Sequence, residues 1–306
     1  MKPKIGITIG CPCGIGPEIV EKAIADSRVM DICETVVFGS LSSSASKCGS
    51  ISIQAVESAV RAAMAGEVRA IVTAPINKSH WKAAGSPFPG HTEYLAHLTG
   101  AKSVAMCFAS PKLTVSLVTT HLPLADVPKA ITVERICEVA RLTCATTGHR
   151  TIAPSHQRTR IAVCALNPHA GENGVFGKEE IEIILPAIKK LQSEGLNISG
   201  PYPADTVFLQ AIGGKFGAVI AMYHDQALAP IKTLDFKYTV NVTLGLPFIR
   251  TSPDHGTAED IAGKGIADHE NMVEAIKLAV KLTKESVIPV KTGIQIVQKG
   301  SPLSRG

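Results

Sequence analysis

Three apolar runs in this chain each end in a histidine: "LTVSLVTT" runs into His121, "RIAVCALNP" into His169 and "AVIAMY" into His224. A short apolar run that stops at ionisable side chains reads as a buried strand delivering chemistry at its carboxyl end. Neutral imidazole is a common ligand for divalent transition metals. Three such ligands leave coordination positions open for water or substrate, as a catalytic metal requires. The competing reading for each is a hydrogen-bonded core histidine at a strand end. Asp225, beside His224, and Asp205, in "YPADT", carry carboxylates suited to orienting metal ligands or to acid–base work. A helix cap at Asp205 and a solvated loop carboxylate at Asp225 are their plainer readings.

A second set of residues favours anions. Lys232 and Arg250 flank "TVNVT" with its Asn241. Lysine, arginine and an amide donor suit a phosphate monoester, with ordinary surface charges as the alternative. In "PGHTEYLA", His91 and Thr92 open an apparent helix, where backbone N–H groups and a hydroxyl make an anion site. "DHGTAEDIAG" reads as a turn entering a helix. Its Gly256 and Thr257 allow a cofactor to approach the backbone, and its Asp260 suits a ribose or adenine. A bare helix cap is the competing reading. "GCPCGIGPEI" is glycine-rich and follows a strand, yet matches neither GxGxxG nor the Walker pattern.

The chain has eight cysteines, none in a CxxC pair. Several sit in apolar runs, which points to buried free thiols in a reducing cytosol. The Cys11-Pro-Cys13 pair suits a soft metal, but a zinc site needs two further ligands that spacing does not supply.

Positioning these groups requires strands that alternate with helices. "KIGITIG", "TVVFGS", "VRAIVTAP", "SVAMCFA", "LTVSLVTTH", "RIAVCAL", "AVIAMYHDQ" and "YTVNVTLG" read as strands. "GIGPEIVEKAIA", "SIQAVESAVRAAMAGE", "TVERICEVARLTCATTG", "GKEEIEIILPAIKKLQSEG", "ADTVFLQAI", "TAEDIAGKG" and "ENMVEAIKLAVKLTKES" read as helices. That alternation predicts an α/β protein with a mostly parallel sheet. Residues 287–306 lose the alternation and read as an appended tail.

The 306 residues suffice for two domains, or for one domain with a large insertion, and 45% hydrophobic with 19% charged is a globular composition. No apolar run approaches the roughly 20 residues of a membrane helix, and the opening stretch reads as a strand rather than a signal peptide. A net charge of +5 without a basic block, and aromatics at 4%, argue against nucleic acid. The expected location is cytoplasmic.

Together, "GIGPEI", "VTAPINK", "PGHTEYLA", "THLPL", "NPHAGE", "YHDQ" and "GLPFIRTSPDHGTAEDIAG" resemble the 4-hydroxythreonine-4-phosphate dehydrogenase family, in the family's order, from about residue 4 to about 284. The resemblance implies two α/β domains with a cleft between them, like the isocitrate and isopropylmalate dehydrogenases. Residues 1–90 with 251–286 would form the cofactor-side domain, and residues 91–250 the domain of metal, substrate and dimer interface. It implies a homodimer with shared active sites, and NAD or NADP oxidation of a small phosphorylated four-carbon acid. The β-keto product then loses carbon dioxide, a step of pyridoxine biosynthesis. A divalent metal (zinc, magnesium or cobalt) would rest on His121, His169 and His224, as Lewis acid at the substrate's hydroxyl and carboxylate oxygens. Substrate contacts would be His91, Thr92, Lys232, Asn241 and Arg250; cofactor contacts His255, Gly256, Thr257 and Asp260; acid–base or orienting groups Asp225 and Asp205.

The chain departs from the family pattern in two places. Cys11 and Cys13 stand where the first loop usually carries Asp and Ala, and the region around 40–53 is tens of residues short. Both departures motivate a rival reading, a phosphate-binding descendant without catalysis. A dehydrogenase of 4-phosphorylated threonate or erythronate is the near alternative, and phosphate acyl transfer on a related fold the distant one.

Overall fold

A computed structural model describes residues 2–40, 47–147 and 160–285. The expected tail at 287–306 and residues 41–46 of the Ser-rich stretch lie outside the described residues.

Ten strands form one sheet: β1 (Lys4–Thr8), β2 (Glu34–Phe38), β3 (Ala70–Thr73), β4 (Ala105–Ala109), β5 (Thr114–Leu117), β6 (Ile161–Cys164), β7 (Ile198–Tyr202), β8 (Ala218–Ala221), β9 (Val240–Leu244) and β10 (Ile249–Pro253). Their order is β2-β1-β3-β10-β9-β4-β5-β8-β6-β7. Pairing is parallel toward both edges. It is antiparallel across the centre, at β10–β9, β9–β4 and β4–β5. The expected mostly parallel sheet is present, and the antiparallel centre is the feature that alternation alone does not reveal. The chain leaves after β3, builds the other half, and returns with β10 beside β3.

The helices are α1 (Gly16–Ile24), α2 (Ser27–Met30), α3 (Cys48–Met64), α4 (Lys78–Ala83), α5 (His91–Thr99), α6 (Val127–Ala130), α7 (Val133–Thr147), α8 (Leu185–Ser193), α9 (Ala204–Ile212), α10 (His224–Asp235) and α11 (Glu270–Glu285). Strand side chains alternate between two faces. Ala70 and Val72 therefore join Ile19, Ile136, Ile188 and Met272 in the core under α1, α7, α8 and α11. Ile71 faces the other way, into a core with Val56, Trp81 and Leu95 from α3, α4 and α5. Val115, Leu117 and Val219 pack on that same side of the far half, under α9 and α10.

Two expectations change. "TAEDIAGKG" forms turns rather than a helix, so the chain around Thr257 and Asp260 follows no regular repeat. β8 ends at Ala221, and His224 opens α10 instead of prolonging the strand. Among the described residues, no helix is long and apolar enough to cross a membrane.

Candidate active site

A cavity of about 370 Å³ lies over the antiparallel centre of the sheet, between α4 and α5 on one side and α10 on the other. Its floor follows from strand alternation. Asn241 faces Ser252 across β9–β10 and Phe108 across β9–β4, while Arg250 stands between Ile71 and Thr243. The walls come from strand ends and helix starts: Thr73 and Lys78 after β3, His91 and Thr92 at the start of α5, His224 at the start of α10.

Arg250 dominates the electrostatics. It is 3% exposed, and its guanidinium donates to the Thr73 hydroxyl at 2.6 and 3.1 Å and to the Thr243 hydroxyl at 2.9 Å. Burial pulls its pKa down to about 10, with Glu93 opposing from a distance. A buried cation whose partners are hydroxyls retains a demand for an anion. The surface-charge reading of Arg250 is thereby corrected, because the strand interior carries it inward. Lys232 lines the same cavity, 3.0 Å from Asp254 Oδ2, where burial raises the carboxyl's pKa and Lys232 opposes that rise.

Four buried polar atoms of the cavity have no hydrogen-bond partner: Asp254 Oδ2, which faces the Lys232 ammonium as an ion pair, and His91 Nε2, Asn241 Oδ1 and His255 Nε2, which are in no ion pair. A polar ligand is the natural complement of such atoms. Burial, then Arg250 and Lys78, hold the His91 imidazole well below its ordinary pKa, so it stands neutral beside two cations.

Of the three predicted metal ligands, the fold brings two together. His121 and His224 line the cavity with ring centroids 5.6 Å apart. Partial burial, then Lys78 and His224, keep His121 below the usual imidazole range and so disposed to be a neutral ligand. His169 does not line this cavity. It sits on an exposed turn after β6 with Nδ1 2.6 Å from Glu172 Oε1, and that carboxylate raises its pKa. His224 Nδ1 is likewise 2.7 Å from Asp225 Oδ1. In both residues a carboxylate occupies Nδ1 and leaves Nε2 as the free donor, the pattern usual behind metal-bound histidines.

Asp225 is exposed, contacts His224 Nδ1 and does not line the cavity. Asp205 lies in the first turn of α9, whose N-cap position is Pro203, so the capping reading is corrected; its charge acts on His169. His255 and Gly256 line the cavity. Thr257 packs against the glycine-rich loop, its carbonyl accepting from Ile15 N–H at 2.9 Å, and Asp260 is exposed beyond it. A side chain at Gly14 would meet Thr257 O at 2.7 Å, so glycine is what lets the two segments touch. Lys78, Asp254 and Glu172 were missed from sequence. Lys78 just follows the β3 end, where the strand-end rule would have found it; the other two show no local signal.

The cysteine expectation also changes. Cys13 and Cys48 are joined in a disulfide, while Cys11, Cys33, Cys107, Cys137, Cys144 and Cys164 are free. The spacing of 35 residues gives no hint of this pair, because packing of α3 against the first loop creates it.

A family model described as pyridoxal phosphate biosynthetic protein PdxA matches residues 15–279. A 4-hydroxythreonine-4-phosphate dehydrogenase from Geobacter metallireducens is 41% identical over 331 residues, covering 92% of this chain and 96% of its own. A D-threonate 4-phosphate dehydrogenase from Cupriavidus necator is 40% identical over 334 residues, covering 92% and 97%. Both alignments exceed the chain's 306 residues, so each relative carries residues without a counterpart here. The crystal structure of a 4-hydroxythreonine-4-phosphate dehydrogenase from Klebsiella pneumoniae superposes with a TM-score of 0.81 at 36% identity, over 92% of this chain and all of that one. An isocitrate dehydrogenase from Methylococcus capsulatus, 14% identical with a TM-score of 0.55 over 93% of this chain and 86% of its own, shares the fold alone.

Proposed function

The chain belongs to the PdxA family of pyridoxal phosphate biosynthetic proteins, and from that premise we propose that its cavity binds 4-phosphooxy-L-threonine and oxidises the secondary alcohol. It is an oxidoreductase of the 4-hydroxythreonine-4-phosphate dehydrogenase kind. NAD or NADP, which His255, Gly256, Thr257 and Asp260 would hold, would supply the hydride acceptor for that oxidation. The β-keto acid then loses carbon dioxide to give 3-amino-2-oxopropyl phosphate.

The observation that carries this reading is Arg250: a buried guanidinium bonded only to hydroxyls, in a cavity with Lys232 and the unpartnered His91. Arg250 and Lys232 hold the phosphate, with His91 and Thr92 at the start of α5 completing the anion site. That anchor fixes where the reacting carbon sits. Asn241 Oδ1 accepts from a hydroxyl or ammonium of the substrate. Thr257 and Asp260 extend from His255 and Gly256 away from the cavity and hold the far half of the cofactor.

The donor set fits a divalent metal, since His121 and His224 are imidazoles with free coordinating nitrogens at the cavity. When bound, zinc, magnesium or cobalt supplies Lewis acidity to the substrate oxygens. Asp225 fixes the tautomer of His224, and Glu172 fixes that of His169, which a second subunit of a homodimer contributes. Asp205 adds a second carboxylate near that same histidine.

The test is nicotinamide reduction, followed by absorbance, with 4-phosphooxy-L-threonine and each divalent metal. Metal-dependent reduction is expected, and inertness would refute the assignment. A second reading rests on relatives named for D-threonate 4-phosphate at nearly the same identity. Running that substrate alongside separates the two, because they differ by amine against hydroxyl at carbon 2.

A further inference from the structure

The fold supplies the two ligands that Cys11-Pro-Cys13 lacked. Ligand atoms of Cys11, Cys13, Cys48 and His80 all lie within 4.8 Å of one another, and this is the one group of three or more histidine, cysteine or carboxylate ligands so gathered among the described residues. Cys11 Sγ is 3.2 Å from His80 Nδ1. We propose that, with its thiols reduced, this cluster is a closed Cys3His site for a soft divalent metal, zinc foremost. It stands independently of the substrate reading, on different residues.

The ligand chemistry is that of structural zinc, with three thiolates and one imidazole and no position left for substrate. A tetrahedron with zinc–sulfur bonds of about 2.3 Å and a zinc–nitrogen bond of about 2.0 Å has edges of about 3.5–3.8 Å. No pair of these ligand atoms is more than about an ångström wider than that, and the Cys13 and Cys48 sulfurs, bonded to each other here, part toward it on reduction; side-chain rotation supplies both shifts. Cys11 and Cys48 are fully buried, so the site is shielded from water.

The backbone holds the four residues together whether or not a metal is bound. Gly10, at φ +71°, turns the chain so closely past Pro75 that a side chain would meet its carbonyl oxygen at 2.3 Å. Cys11 N–H donates to that same oxygen at 2.8 Å. At Gly49 a side chain would meet the His80 carbonyl oxygen at 2.1 Å, so glycine lets the first turn of α3 lie on α4. Trp81 Nε1–H donates to Ser52 Oγ at 2.7 Å and locks the two helices in register. Three separate chain segments therefore present their sulfur and nitrogen atoms to one point.

The Cys13–Cys48 disulfide and the metal site exclude each other. A dithiol reductant gives the disulfide two electrons and two protons and closes to its own disulfide, leaving two thiols. Metal uptake then releases three thiol protons, and neutral His80 donates its Nδ1 lone pair. The bound ion would staple the glycine-rich loop to α3 and α4. That loop meets Thr257 through Ile15 N–H, and Asn77, at the cap of α4, donates to Glu259. The staple would therefore steady the edge of the cavity.

The experiment uses the full chain, reduced with dithiothreitol under anaerobic conditions. Cobalt(II) is titrated first, because only thiolate ligation gives an intense near-ultraviolet charge-transfer band; a histidine site at His121, His169 and His224 cannot produce it. One equivalent of the band is expected, bleached by zinc. Zinc should also protect Cys11, Cys13 and Cys48 from alkylation in the folded protein, while Cys144, the partly exposed free thiol, reacts equally with and without it. The double variant Cys13→Ser with Cys48→Ser should lose the band, and Cys33→Ser should keep it. His80→Ala removes one ligand and leaves the Ser52–Trp81 bond, so it should weaken zinc binding at least tenfold even if the double variant fails to fold. Absence of a thiolate band in the folded reduced protein would overturn the proposal. So would equal alkylation of Cys11, Cys13 and Cys48 with and without zinc, or a Cys13–Cys48 bond that survives reductant.

Discussion

Arg250 is a nearly fully buried cation, and its neighbours explain why it waits for an anion. Thr73 and Thr243 satisfy its geometry but not its charge. Arg250→Ala should raise the KM for the phosphorylated substrate about tenfold to a hundredfold, from charge-assisted bonds of about 1.5–3 kcal/mol. Arg250→Lys should restore part of it. Steady-state kinetics check this, and an unchanged KM would remove Arg250 from the anion site. His91 makes a different, pH-dependent prediction. Burial, Arg250 and Lys78 keep it neutral in the fold, whereas the unfolded chain protonates it near pH 6.5. Below that pH the unfolded state binds a proton that the native state refuses. The stability is therefore present above about pH 6.5 and lost as pH falls toward the depressed native value, by up to about 1.4 kcal/mol per pH unit. Thermal melts from about pH 7.5 to 5 should show His91→Gln less acid-sensitive than the parent. Parallel curves would show that His91 is not the group responsible.

At the scale of elements, the turn that carries His169 is the least ordinary piece of backbone. Five consecutive residues, His169 to Asn173, have positive φ between 41° and 76°. Left-handed backbone costs non-glycine residues about 1–2 kcal/mol each, so something must hold it. Glu180 does so from the helical turn ahead of α8. Its buried carboxylate accepts from Leu166 N–H and Asn167 N–H, each at 2.8 Å, and from the Asn167 amide at 3.0 Å. Gly171 lies so close that a side chain would meet Glu180 Oε2 at 2.7 Å. Glu180→Ala should destabilise the protein by about 2–4 kcal/mol in denaturant titrations, through stranded donors. Metal-dependent turnover should fall even under conditions where the variant remains folded. Preserved turnover would mean that the turn holds its shape without this support.

For the whole molecule, the separation of His169 from the cavity that holds His121 and His224 sets a test of assembly. If a second subunit supplies His169, then His169→Ala and His224→Ala proteins are each inactive, yet mixed dimers rebuild one complete site. Unfolding and refolding the two together should recover roughly a quarter of the parental activity, as random pairing in a closed dimer gives. No recovery, from a mixture shown to contain heterodimers, would place the third ligand elsewhere.

The strand-and-helix alternation, the strand-end histidines and the motif order were legible in the sequence because each is a local pattern, set by side-chain period and by which residues can stop a strand. The short, β-branched runs of β1, β3, β5, β6 and β8 announce themselves in this way, and so do His121 and His224 at their ends. Burial of Arg250, the approach of Asp254 to Lys232, and the meeting of Cys11, Cys13, Cys48 and His80 are relations between segments far apart in the chain. No spacing encodes them. They arise when glycines at positions 10 and 49 let backbones touch, and when the antiparallel centre of the sheet turns Arg250 and Asn241 onto one face.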